Sequence, residues 1–414
     1  MRAYLFMACL VSSSFAYAEN NSWYDDILIH GFISQSFINT SDNQFFGNSE
    51  YGSFDFSELG INASYQLLPR VRLAAGLLSR QAGAFDNGSP RFDYALADIR
   101  LFSNQHVSSG IYLGRVKNEI GLYNSTRDVP QTRDGLFLPQ VIYFDKVRNA
   151  LISSDGLVIY NNIYFDNGTL LMQASTGYPL ADKNVEYAYM GNDWQGNLQN
   201  DHLAFSGMLR YEQNGGQWIY SLTGSSFKID FDAKGSDTIA APIGPGFNSG
   251  TMKVDYTVLS LQYNAEKWQL TGEVAFENVN YNDIGGPLAE MDINSIGYYL
   301  QASYNINTRW QTFLRFEEFQ LNKHDWDGEK AARNNIKVSQ QLAGLGINRV
   351  PIPAQEYYSR SWVIGTRWLI DQRFMLRAEY HKVHGAATLS PRENEVSSTT
   401  PKWDMFALSL SYRF

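Results

Sequence analysis

The sequence holds one cysteine, Cys9, and it lies inside an N-terminal apolar run. Arg2 gives a short positive region, Ala3 to Val11 an apolar core, and Ala16, Tyr17 and Ala18 a small-x-small cleavage site, so residues 1–18 read as an export signal. Too little apolar chain precedes Cys9 for it to be a processed lipoprotein residue. Cleavage after Ala18 leaves no thiol, which excludes a disulfide framework, a thiolate metal site and a cysteine nucleophile. Histidine is scarce too: His30, His106, His202, His324, His381 and His384 are all there are. No nucleophile-elbow pattern accompanies them, and His381 and His384 lack the i, i+2 spacing of two ligands on one strand face. The chain carries no basic excess, with a formal charge of −9 and a pI near 5.2, which argues against nucleic acid as a partner. Residues 243–250 are glycine-rich but lack the lysine and helix of a phosphate cradle, and the acids of 283–292 match no calcium loop. No cofactor and no metal is expected.

Long apolar runs are also missing after the signal. None approaches the roughly eighteen residues of a membrane helix, and mean hydropathy is −0.31. What is present is alternation. In the stretch from Trp403, the residues Phe406, Leu408, Leu410, Tyr412 and Phe414 share one phase, while Ala407, Ser409, Ser411 and Arg413 share the other. A strand of this length ending in aromatics fits an outer-membrane barrel, where only alternate residues face lipid. Low mean hydropathy and an aromatic content of 14% are then compatible.

The same pattern predicts an all-β fold: a transmembrane antiparallel β-barrel of about sixteen strands. They lie near 27–39, 53–66, 71–82, 91–103, 107–116, 154–165, 169–178, 199–212, 217–230, 251–265, 268–281, 293–306, 309–322, 357–370, 373–384 and 403–414. Short turns (67–70, 104–106, 166–168, 214–216, 266–267, 307–308, 371–372) alternate with long polar loops, as periplasmic turns alternate with external loops. Trp218, Trp268, Trp310 and Phe374 each begin a strand after a short turn, which predicts an aromatic girdle. No linker or compositional shift divides residues 19–414, so one barrel is expected, without room for a plug domain ahead of the first strand.

Phase assigns Leu59, Ile61, Ala63, Tyr65 and Leu67 to lipid and Glu58, Asn62, Ser64 and Gln66 to a polar, wet interior. It blurs in strands 91–103, 107–116 and 154–165, as a wall against a neighbouring subunit or an inserted loop would show, or as a register wrongly assigned from the sequence would. A hollow barrel of this size is defined by what narrows it. The candidate is the loop 117–153, whose Phe137, Leu138, Val141, Ile142 and Leu151 favour packing over solvent. Folded inward, it would bring Arg127, Asp128, Arg133, Asp134, Asp145, Lys146 and Arg148 into the lumen. The inward phase would face them with Arg72, Arg80, Glu212, Arg315, Glu317, Arg367, Arg377, Glu379 and His381. Opposed charges across a narrow aqueous gap screen solutes by charge; the alternative is that they pair and stiffen the wall.

The strings His30-Gly31-Phe32, Asp42-Asn43-Gln44-Phe45-Phe46-Gly47, Gly52-Ser53-Phe54-Asp55-Phe56, Gly114-Arg115-Val116-Lys117 and Leu138-Pro139-Gln140 resemble porin-like outer-membrane proteins of Gram-negative bacteria. The resemblance implies a sixteen-stranded barrel in outer-membrane lipid, a homotrimer, and a third external loop folded inward, which here is 117–153. Phosphate-selective porins are a related family; their anion paths are basic, whereas this loop mixes aspartates with arginines. The expected function is a porin passing small hydrophilic solutes or ions, with no chemical step. The alternatives are a surface receptor or adhesin barrel and a barrel-borne hydrolase, the latter needing a base beside a nucleophile.

Overall fold

In a bilayer every backbone N–H and C=O must find a partner within the protein, and a closed sheet satisfies this with strands that alternate apolar and polar residues. The computed structural model describes residues 26–240, 243–288 and 292–414; the signal assigned to 1–18 lies outside them. Sixteen long strands form the wall: β1 Ile27–Thr40, β2 Ser53–Leu68, β3 Val71–Ala82, β4 Arg91–Ser103, β5 Val107–Lys117, β6 Ser153–Phe165, β7 Gly168–Pro179, β8 Ala204–Gln213, β9 Trp218–Asp232, β10 Gly250–Asn264, β11 Trp268–Asn282, β12 Asp292–Asn305, β13 Trp310–Gln320, β14 Tyr358–Leu369, β15 Phe374–Gly385 and β16 Lys402–Arg413. All neighbours are antiparallel, and β16 returns to β1 with Phe32 opposite Arg413 and Thr40 opposite Met405, so the sheet closes without an edge. The predicted boundaries hold within about two residues except at β8, which starts at Ala204. The residues before it, Asn197–Gln199, pair instead with the far end of β9, Asp230 to Asp232.

The predicted girdle is a ladder of cross-strand pairs. Trp218 lies opposite Tyr263, Trp268 opposite Tyr304, Trp310 opposite Trp368 and Phe374 opposite Tyr412. Their rings are 4.5, 4.5, 5.2 and 4.8 Å apart. Above them β12 to β16 face outward with Leu300, Leu314, Ile364 and Leu410, all exposed. Tyr298, Phe316, Trp362, Tyr380 and Phe406 follow on the same phase, before Glu318, Arg360, Lys382 and Asp404. Aromatic, aliphatic, aromatic, charged is the profile of a bilayer read along a strand.

In β4 the blurred phase has a local cause, while β5 and β6 pair in regular register. Leu77 pairs with Phe92 while Gly76 pairs with Tyr94, leaving Asp93 extra, and a second irregularity falls between Arg100 and Phe102. Each bulge inserts one residue and flips the phase beyond it.

The interior departs from a uniformly polar lumen. On the far halves of β9 and β10 the buried, inward residues are Phe227, Ile229, Phe231, Met252, Val254, Tyr256 and Val258. Their outward partners are Ser226, Lys228, Asp230, Lys253, Asp255 and Thr257. The apolar face is covered by Val141 to Leu151 of the third long connection, which ends in a short helix, α1 (Arg148–Ile152), and by Val185, Tyr189 and Met190 of a helix, α2 (Lys183–Met190), in the fourth. The Asp182 carboxylate caps α2 by accepting from the Asn184 and Val185 amides, and Gly191 ends it in a left-handed conformation at φ 78°. A fifteen-residue helix, Glu329–Ala343, lies in the seventh connection.

Candidate functional site

The segment 118–152 spans the inner face from one wall to another. Leu136 and Phe137 enter a cluster with Phe45, Phe46, Phe56, Trp403 and Met405, whereas Val141, Ile142, Tyr143, Phe144, Val147 and Leu151 join the cluster on β9 to β13. Each large apolar side chain fully buried contributes about 1.5–3 kcal/mol, against about 1 kcal/mol net for a hydrogen bond. Apolar contact therefore holds the segment, and the polar contacts set its register. Two glycines permit the approach. A Cβ on Gly135 would collide with the Glu379 carboxylate, and one on Gly297 of β12 with the Val141 carbonyl oxygen.

The polar contacts are specific. Glu273 of β11 accepts from the hydroxyls of Tyr143 (2.6 Å), Tyr299 (2.8 Å) and Ser260 (2.6 Å) and from the Leu122 amide (2.9 Å). Tyr256 donates to the Ile142 carbonyl at 2.7 Å. Arg377 of β15 donates to the carbonyls of Pro130 (3.2 Å) and Gly135 (2.6 Å), and Glu379 accepts from the Leu136 amide.

The loop residues singled out in sequence are placed as follows. Asp145 receives Arg80 of β3 at 2.9 Å and Arg127 at 3.3 Å. Arg80 also reaches Asp86 at 2.6 Å and lies over the rings of Phe46 and Phe56. Asp128 pairs with Arg148 and, at 3.1 Å, with Lys117, which in turn holds Asp93 at 2.5 Å. Arg133 meets Glu58 at 2.8 Å. Asp134 accepts from Gln301 (2.9 Å) and Ser303 (2.7 Å), with Arg367 at 4.0 Å. Lys146 donates to the Ala387 carbonyl at 2.9 Å. On the wall, Arg315 pairs with Glu317 at 2.6 Å and donates to the Phe137 carbonyl, Glu379 faces His381 at 2.8 Å, and Arg72 pairs with Asp98 at 3.2 Å away from the segment. Arg80, Arg127, Arg133, Arg148, Arg315 and Arg377 are all buried. Asp128 is held well below its ordinary range: burial pushes it up, but Arg148 and Lys117 outweigh burial. Burial pulls Arg127 down to about 10 despite Asp145.

Open volume lies elsewhere. A cavity of about 500 Å3 is lined by Gln131 with Arg309, Arg367, Arg373 and Arg413, against Asp371 alone among acids. A neighbouring cavity of about 540 Å3 shares Gln131, Arg373 and Arg413. A third, of about 340 Å3, runs along β1 to β5 beside His30, Arg72, Tyr94, Tyr112 and Lys117. Charges reaching these cavities are mostly basic, while the acids are mostly consumed in pairs.

The outer rim is knit by the eighth long connection. Glu393 accepts from the amides of Phe46, Gly47 and Ala84, Asn394 exchanges hydrogen bonds with Gln44, and Arg392 donates to the Lys183 carbonyl. Glu356, which accepts from Thr399, is raised by burial to about 7, with Thr399 and Lys146 opposing. A carboxyl raised in the closed rim contributes stability that is full below about pH 4.5 and lost as pH rises through about 7. Limited proteolysis of the rim should therefore be faster at pH 8 than at pH 5, and Glu356→Gln should flatten that difference; a pH dependence unchanged in the variant would remove Glu356 from the account.

Inward phase also marks Glu273, but sequence reasoning missed its role as the acceptor that ties the segment to the wall, Arg377 as a carbonyl ligand, and α2. Only α2 left a signal, in Asp182 and Gly191 flanking an eight-residue run. Among the described residues no group of three or more His, Cys, Asp and Glu could hold a metal.

A closed sixteen-stranded barrel with an aromatic girdle is the architecture of Gram-negative outer-membrane porins, and the comparisons agree at the level of fold. An outer-membrane channel, DcaP of Acinetobacter baumannii, superposes with a TM-score of 0.55 at 10% identity over 94% of this chain and 97% of that one. OprB of Pseudomonas putida gives 0.57 at 10% identity over 94% of each chain. The trimer form of OmpT of Vibrio cholerae gives 0.53 at 9% identity over 94% and 99%. No protein-family model and no curated protein matches the sequence.

Proposed function

We propose that the protein is an outer-membrane diffusion channel for small hydrophilic solutes, narrowed by the segment 118–152 and selective for anions. The observation that carries this is the charge of the open volume: Arg309, Arg367, Arg373 and Arg413 converge on cavities flanking Gln131, with Asp371 as the single acid. A basic mouth with low-dielectric walls concentrates anions. Paired charges such as Arg133–Glu58 act as struts rather than as a transverse field. No chemical step is assigned, since the buried base His381 faces Glu379 and not a nucleophile.

Purified protein in a planar bilayer should give stepwise conductance, with a reversal potential under a salt gradient displaced toward the anion. Arg373→Glu with Arg413→Glu should lower the anion-to-cation permeability ratio about threefold or more. No conductance from well-folded barrel would overturn the channel.

A homotrimer follows on the same reading, through the wall of β1 to β6. Its outward residues include Ala63, Ala75, Ala95 and Ala97, whereas the strand tryptophans all lie in β9 to β16. Small side chains let a second wall approach closely. Ala75→Trp with Ala97→Trp should shift the mass in native mass spectrometry from three chains to one.

A further inference from the structure

The outward face of β9 to β12 carries two features for which a channel has no use. The first is a concavity of about 730 Å3 in the outer wall, where Gly272 of β11 leaves a gap between Leu222, Leu259, Leu261, Leu300 and Tyr298. The second is a pair of lysines on β9 and β10. Lys228 lies directly opposite Lys253, on the outward phase of Leu222 and Leu259.

Like charges directly opposite one another destabilise a strand pair. Lys228 has no hydrogen bond or ion pair among the described residues to offset this, and Lys253 has only Asp255 at 2.8 Å. The neighbouring acids are already engaged. Asp255 also accepts from Ser226 at 2.6 Å, and Asp230 accepts from Thr251 at 2.9 Å and faces His202 at 3.0 Å. Lys228 is therefore left without a partner from the chain, beside a second cation that is only singly compensated, and an anion from outside would relieve both.

Its height says which kind. Lys228 is ten residues along β9 from the girdle residue Trp218, and Lys253 is ten from its partner Tyr263. At about 3.3 Å per residue and a tilt near 40°, the lysines stand about 25 Å above the girdle, which is the thickness of the apolar band. They sit where the phosphates of the outer leaflet lie, with the concavity in the hydrocarbon layer below them.

We propose that this wall binds a phosphorylated, acylated lipid of the outer leaflet, its phosphate bridging Lys228 and Lys253 and an acyl chain lying over Gly272. The site does not depend on whether the lumen conducts.

Native mass spectrometry of the detergent-solubilised full chain, titrated with phosphatidic acid or phosphatidylcholine, tests this. Wild type should retain phosphatidic acid about tenfold more tightly. Lys228→Gln with Lys253→Gln should bring the two lipids level, and Gly272→Leu should weaken both by filling the concavity. Lys382→Gln with Lys402→Gln, on β15 and β16, should leave the preference intact. A thermal readout gives a change of sign: in lipid-free micelles Lys228→Gln should melt slightly above wild type, and with phosphatidic acid below it. Equal retention of both lipids by wild type would overturn the proposal. So would a preference lost equally in the Lys382 and Lys402 variant, which would mean a diffuse cationic belt. Protection by inorganic phosphate equal to that by phosphatidic acid would overturn the lipid in favour of the free ion.

Discussion

Glu273→Ala should produce the largest functional change of any single substitution in the barrel. The carboxylate joins Tyr143 and Leu122 of the segment 118–152 to Ser260 and Tyr299 of the wall. Deleting it strands the three buried hydroxyls of Tyr143, Tyr299 and Ser260, each at about 1–3 kcal/mol, while the Leu122 amide keeps the Tyr143 oxygen, and lets water in beside Tyr143. The segment should loosen at this end while Leu136 and Phe137 still hold the other. In single-channel recordings the expected result is a conductance raised about twofold or more with added open-state noise, and in detergent a melting temperature lower by several degrees. Glu273→Gln keeps one acceptor oxygen and should fall between. Wild-type conductance and melting in Glu273→Ala would mean that the apolar contacts alone fix the segment.

Arg80→Met should produce the largest loss of stability. The guanidinium is buried between Asp86, Asp145 and the more distant Glu58, at 2.6, 2.9 and 3.9 Å, with aromatic rings on its face. Removing one member of a buried ionic network costs about 3–5 kcal/mol. Asp86 keeps Arg91, Asp145 keeps Arg127 and Glu58 keeps Arg133, so each acid loses one of two cations. The sign with pH is diagnostic. An acid with less cationic support binds protons more readily than in wild type, so the loss relative to wild type should be smallest in acid and grow as pH rises through the carboxylate range. Arg80→Lys, which keeps the charge, should recover much of the loss. A deficit that is the same at every pH and survives in Arg80→Lys would place the cost in lost packing against Phe46 and Phe56.

The ring was legible because its physics is local. Period-two alternation marks strands, and turns such as Asp371-Gln372 mark hairpins, so β3 and β4 could be bounded without any partner. The direction taken by 118–152 was suggested by Phe137, Val141 and Ile142, which solvent does not favour. The pairing of its charges was not legible: Arg80 meets Asp145 across 65 positions of chain, and nothing in either neighbourhood names the other. Nor was the interior of β9 and β10. Phe227, Ile229 and Phe231 alternate with Lys228, Asp230 and Asp232 as well as any lipid-facing strand does. Alternation alone does not say which phase faces lipid once a strand continues past the bilayer and loops supply an apolar surface within.

The packing of the segment 118–152 and α2 against β9 to β13 has an electrical consequence. An apolar mass on one side of the ring is a poor dielectric, so in the proposed channel an applied voltage falls through the polar cavities left elsewhere, one beside β1 to β5 and one at the Gln131 end. Field lines crowd into narrow polarisable volumes, and their lining includes Arg72, Lys117, Arg367 and Arg413. On that reading, current responds to charge on the cavity side of the protein and hardly at all to charge behind the apolar mass.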